Sequence, residues 1–206
     1  MGITIQYRGQ LKSPALIDKI RSDLKEIADR MGWEYTILDE DFETPTDARL
    51  EVSEKGCEIV GHLALKGISL NVHKDCSSFD FFFDADGILR DPVQMVQTEQ
   101  EQEVEQENLH FTFVKTQFAP PDIHITLVKF LRYLEEKYFQ TLDVIDEGNY
   151  WETGDEDLLK EKMEFLSQKM DAVSQALEDS WIKVEPGDSD LDILVKIEKV
   201  LREIDQ

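Results

Sequence analysis

The densest set of chemistry-bearing side chains lies between Leu142 and Asp155, where Asp146, Glu147, Tyr150, Trp151 and Asp155 fall among two glycines and an asparagine. Carboxylates there would favour a cationic surface. Tyr150 and Trp151 could stack on a ligand or anchor a partner, and loops between regular elements commonly expose such groups. The spacing lacks the ligand positions of a calcium loop. A connector whose aromatics pack back on the core, with Asp and Glu complementing a following helix N-terminus, would use the same residues. We take Asp146, Glu147, Tyr150, Trp151 and Asp155 as the candidate binding residues, with no catalytic or metal residue assigned and no cofactor implied.

Three other constellations carry chemistry on paper. Phe81-Phe82-Phe83-Asp84-Ala85-Asp86-Gly87 is an apolar run ending in Asp-x-Asp-Gly. It resembles the first motif of haloacid-dehalogenase-type phosphotransferases. That resemblance implies a nucleophile at Asp84, an acid/base at Asp86 and a magnesium ion, although Ile88 stands where the family usually has Thr. A hairpin turning at Asp86-Gly87 explains the same residues and is preferred. His62 and His73, with Glu58 and Asp75, would share a polar face if their strands paired, giving zinc-type ligands without a familiar zinc spacing. The same pairing would set Cys57 opposite Cys76, as two reduced thiols or a cross-strand bridge. His110 and His124 have no serine or cysteine partner in the sequence, and no phosphate-binding glycine loop occurs.

The elements that must position these groups follow from periodicity. Ile3, Ile5 and Tyr7 alternate as a strand. Ser13-Pro14 then opens a helix with the stripe Ile17, Ile20, Leu24, Ile27 and Met31, stopped by Gly32, and Trp33, Tyr35 and Ile37 alternate again. If the two strands share a sheet, their crossover is right-handed. From residue 48 a meander is expected, with Lys66-Gly67 as a two-residue turn that opposes Ile68 to Leu65 and Cys76 to Cys57. Residues 97–108, with a glutamate at every second position from Glu99 to Glu107, suit an exposed loop. Leu109, Phe111 and Phe113 resume alternation.

Beyond residue 119 the chain reads as helical. Pro120-Pro121-Asp122 opens a helix with Leu127, Leu131, Leu134 and Tyr138 on one face. Thr153 and Glu156 form a capping-box pattern ahead of a long helix (Leu159, Met163, Leu166, Met170, Val173, Leu177), and a further helix follows Ser189. The expected fold is α+β: a largely antiparallel, or mixed, sheet with an N-terminal strand–helix–strand unit and a helical C-terminal third ending in a helical hairpin. One integrated domain over 1–206 is favoured, strand-rich through 118, with 153–206 as a hairpin appendage.

Charge bounds the function. The chain has 22 basic and 45 acidic side chains, a net −23. The excess is spread evenly, −11 over residues 1–118 and −12 over 119–206. Such a field repels nucleic acid and anionic lipid and attracts basic proteins. No apolar run is long enough to span a bilayer, no signal-peptide pattern opens the chain, and cysteine is scarce, so a cytoplasmic protein is expected. The functional expectation is a non-catalytic interaction protein, of inhibitor, immunity or adaptor type, that engages a basic partner surface. The alternative is a small-ligand protein or metal-dependent hydrolase using residues 143–155 or Asp84 and Asp86. A homodimer through the C-terminal helices is a further expectation.

Overall fold

The computed structural model describes residues 3–53, 56–100 and 111–178. These carry an α+β fold with five α-helices and nine strands, every strand pairing antiparallel. Two compact units divide between Leu159 and Lys160.

In the first unit, β1 (Thr4–Leu11) is the centre of a three-stranded sheet, flanked by β8 (Thr112–Lys115) and β9 (Phe139–Asp146). A four-stranded sheet has the order β2 (Glu34–Asp39), β5 (Lys66–Asn71), β6 (Phe79–Phe83), β7 (Leu89–Arg90). The ribbon β3 (Arg49–Ser53) and β4 (Gly56–Val60) stands apart. A bridge between Gln10 and Ile88, and the Leu11 N–H donating to the Gly87 carbonyl at 2.9 Å, join β1 to the β6–β7 turn. Tyr7 adds a second tie. Its hydroxyl donates to the Asp80 carbonyl at 2.9 Å and accepts from the Asp80 N–H at 3.0 Å.

The first helix forms as its stripe requires. Ser13 accepts the Ala15 N–H and starts a single 3-10 turn that leads into α1 (Ile17–Met31). Ile17, Ile20, Leu24 and Ala28 are buried, α1 packs on β5, and Gly32 ends the helix in the left-handed conformation. Met31, expected on the stripe, is 58% exposed. The strands before and after α1 lie in different sheets, so the condition for a right-handed crossover is not met.

The meander is where the expected register fails. Lys66 and Gly67 are not a turn. They begin β5, which pairs with β2 (Ile68 opposite Ile37) and with β6 (Ile68 opposite Phe81), while β4 folds back on β3 with Cys57 opposite Val52. The expected strands 57–65 and 68–76 shorten to β4 and β5, and a period of two fixes which face a residue takes while leaving its partner strand open. The Asp86-Gly87 hairpin does form, with Phe83 opposite Leu89 and Phe82 opposite Arg90.

Aromatic rings meet aliphatic side chains in the core. Tyr7 lies 5.4 Å from Phe79 and 5.7 Å from Phe81, with Leu24, Ile68 and Leu70 fully buried. A second cluster, Ala48, Leu63, Leu65, Phe82 and Val96, is covered by Leu50, Ile59 and Met95. Met95 and Val96 belong to α2 (Pro92–Gln100), so residues 97–100 are helical where a loop was expected; 101–110, including His110, lie outside the described residues. Asp91 starts α2 by accepting the Gln94 N–H.

Helix α3 (Pro121–Tyr138) buries Leu127, Leu131, Leu134 and Tyr138 as its stripe predicts, and packs on β9. It runs directly into β9, a strand that sequence reading placed within the connection between helices. A short helix, α4 (Tyr150–Thr153), leads to α5 (Glu156–Glu178), which starts in the first unit and continues into the second. The helix expected after Ser189 lies outside the described residues. Among the described residues no helix is long and apolar enough to cross a membrane.

Candidate functional site

Asp146 ends β9, and the fold closes around it. Its side chain is fully buried. Oδ1 accepts the Gly148 N–H at 2.7 Å and Oδ2 accepts the Trp151 N–H at 2.9 Å, so one carboxylate fixes both ends of a tight turn. Asn149 takes the left-handed conformation (φ 61°), which asparagine tolerates, and its N–H donates to the Asp146 carbonyl. Gly148 is required by close approach: a Cβ there would sit 2.7 Å from Leu159 and 3.0 Å from His124 Nε2.

His124, on α3, completes the cluster. Its Nε2 lies 3.0 Å from Asp146 Oδ1, a close contact without the alignment of a hydrogen bond. Its Nδ1 is 2.7 Å from Thr116 Oγ1, and that hydroxyl also reaches the Ile3 carbonyl at 3.3 Å. Hydroxyl, imidazole and carboxylate therefore stand in line, each buried. The line joins the segment after β8, helix α3 and the end of β9. Burial pushes the Asp146 carboxyl up, but His124 and the N–H groups of Trp151 and Gly148 outweigh it, and the group sits below its ordinary range.

The other expected binding residues separate by role. Tyr150 is buried in α4, with its carbonyl accepting the Gly154 N–H. Trp151 is half-buried beneath Arg132, whose guanidinium lies 4.6 Å above the ring and donates to the Trp151 carbonyl. Asp155 is exposed and caps α5, its Oδ1 accepting the N–H groups of Asp157 and Leu158 at 3.0 Å. It displaces the expected Thr153–Glu156 box; Thr153 instead accepts the Asp155 N–H. Glu147 is exposed, as are Glu152, Glu156 and Asp157. Lys129 also approaches this rim, 3.9 Å from Glu156. The result is a run of outward carboxylates on a turn held from inside by Asp146.

The remaining constellations disperse. Asp84 is occupied on both oxygens: Oδ1 accepts the N–H groups of Asp86 and Ile88, and Oδ2 accepts from Arg90 Nε at 2.7 Å. That carboxylate shapes the hairpin turn and pairs with an arginine, an arrangement that blunts a nucleophile. Glu58 opposes Glu51 instead of Asp75. His62 contacts the Asp41 carbonyl at 3.0 Å, and His73 accepts the Asp75 N–H. Among the described residues no three His, Cys, Asp or Glu side chains are arranged to hold a metal ion. Cys76 sits in the turn after β5 with its thiol pushed up to about 11, by burial first and then by Asp75, and Cys57 lies in the separate β3–β4 ribbon.

No family model, curated protein or solved structure matches this chain. Sequence reading missed Thr116 and His124. The one available signal was a lone histidine on an apolar helix face, which needs a buried partner; that partner lies 22 residues on, at Asp146.

Proposed function

We propose that the protein is a non-catalytic binding protein that engages a basic protein surface through carboxylates presented on the 146–157 turn. The supporting observation is how its cations are used. Arg8 pairs with Asp143, Lys19 and Lys137 with Asp23, Arg21 and Lys66 with Asp39, and Arg90 with Asp84. Each of those cations is drawn to a carboxylate of its own chain, and the sequence carries an acidic surplus, net −23, of which Glu147, Glu152, Glu156 and Asp157 are exposed. On the 146–157 turn that surplus is held on a backbone fixed by a buried clamp, and a fixed charge array loses little entropy on binding. Charge of this kind acts mainly on the association rate.

Affinity capture from native lysate at low salt, followed by stopped-flow with the purified partner, tests the reading. The association rate constant should fall by about tenfold or more as salt rises past the point where the Debye length shrinks below 10 Å. A rate indifferent to salt would rule out charge-driven engagement.

A further inference from the structure

We propose that the loops following β8 and β9 form one docking surface for a Lys/Arg-rich protein segment carrying an apolar anchor: Phe118 meets the anchor, and Asp122, Glu147 and Glu152 face its cations. The inference rests on the reading above that the partner is basic, and it adds where that partner sits and what it must carry besides charge.

Two backbone bonds place the loops together. The Thr116 N–H donates to the Ile3 carbonyl at 2.9 Å and the Glu147 N–H to the Thr4 carbonyl at 3.1 Å. The chain thus leaves β8 and β9 on either side of the start of β1. The buried line Thr116–His124–Asp146 bolts the two exits to each other and to the first turns of α3. Thr116 is two residues before Phe118, and Asp146 immediately precedes Glu147. A single internal network thereby fixes an aromatic loop and an acidic loop at the same end of the sheet.

Phe118 is 62% exposed, more than any other aromatic side chain among the described residues, although Thr116 and Ala119 beside it are buried. The turn closed by the Ala119 N–H on the Thr116 carbonyl holds it outward. Asp122 in the first turn of α3, Glu147 and Glu152 are all exposed. An apolar centre with a charged surround is the anatomy of a binding hot spot, and the sign of the surround selects a cationic partner. A second copy of this chain would bring the same negative charge and be repelled.

The test uses the whole 206-residue chain, labelled with ¹⁵N, and three synthetic amphipathic helical peptides: a leucine–lysine peptide, a serine–lysine peptide of equal charge, and a leucine–glutamate peptide. The leucine–lysine peptide should shift resonances of residues 116–122 and 147–153. Phe118→Ala should weaken it about tenfold or more, while Met31→Ala, an equally exposed site on α1, leaves it unchanged. Glu147→Lys with Glu152→Lys should weaken it and flatten its salt dependence, and the serine–lysine peptide should bind more weakly. Shifts elsewhere, indifference to Phe118→Ala, equal binding of the leucine–glutamate peptide, or concentration-dependent shifts without peptide would each overturn this surface. If binding is salt-sensitive but maps elsewhere, the basic-partner reading survives without it. If neither lysine peptide binds at low salt, both fall.

Discussion

Asp146 does its work through geometry that no other side chain reproduces. Both oxygens accept backbone N–H groups and one also faces His124. Asp146→Asn would turn an amide N–H₂ toward one of those donors and remove the carboxylate that His124 faces. We expect a loss of about 2–4 kcal/mol in urea unfolding at pH 7, within the range for breaking a buried pair by removing one partner. The pH dependence follows from the lowered carboxyl: its stabilisation is complete above the ordinary carboxylate value near ~3.9 and is lost as pH falls through the lower folded value. The gap between wild type and variant should therefore close in acid. Asp80 has the opposite sign. Burial raises its carboxyl, Asp91 adds to the rise, and the hydroxyls of Ser69 and Ser78 oppose it. A raised folded value means that stability is lost as pH climbs through it. Asp80→Asn should thus melt at or above the wild-type temperature at pH 7, with its advantage shrinking below pH ~4; a lower melting temperature at pH 7 would contradict this.

At the scale of elements, the informative residue is Gly67. Read in sequence it looks like a turn glycine, but it lies within β5, where a Cβ would be 2.7 Å from the Phe82 Cα and closer still to the Phe81 carbonyl oxygen. It is glycine because two backbones approach at that point. Gly67→Ala should therefore cost about 1–3 kcal/mol by overpacking, measured by chemical denaturation; an unchanged midpoint would show that the strands separate freely. Helices were the more legible elements. The stripes of α1 and α3, the Ser13 start, the Gly32 stop and the Pro120-Pro121 opening were readable because those signals are local, within one or two turns of helix. β9 was not, because Phe139–Asp146 buries only Phe139, Leu142 and Asp146, and edge strands with one paired side show weak alternation.

For the whole molecule, net charge governs behaviour in solution. Carboxylates outnumber cations 45 to 22, so like-charge repulsion remains and added salt should relieve it. The melting temperature is expected to rise with sodium chloride over the range in which the Debye length falls from about 30 to 8 Å; a constant or falling temperature would mean that the paired carboxylates outweigh the surplus. At the end of the three-stranded sheet Phe118, Asp122, Glu147 and Glu152 are exposed.

The sequence alone determined the fold class, the stripes of α1 and α3, the Gly32 stop, the Asp86-Gly87 hairpin and the acidic character, since each is written in composition or in contacts a few residues long. It also directed attention to residues 146–155. Only the tertiary structure decided which strand pairs with which, why Gly67 is a glycine, and that Asp146 points inward to His124 and Thr116 while Glu147 points out. Those outcomes depend on groups separated by tens of residues, and a buried carboxylate and an exposed one are the same letter until the chain has folded around them.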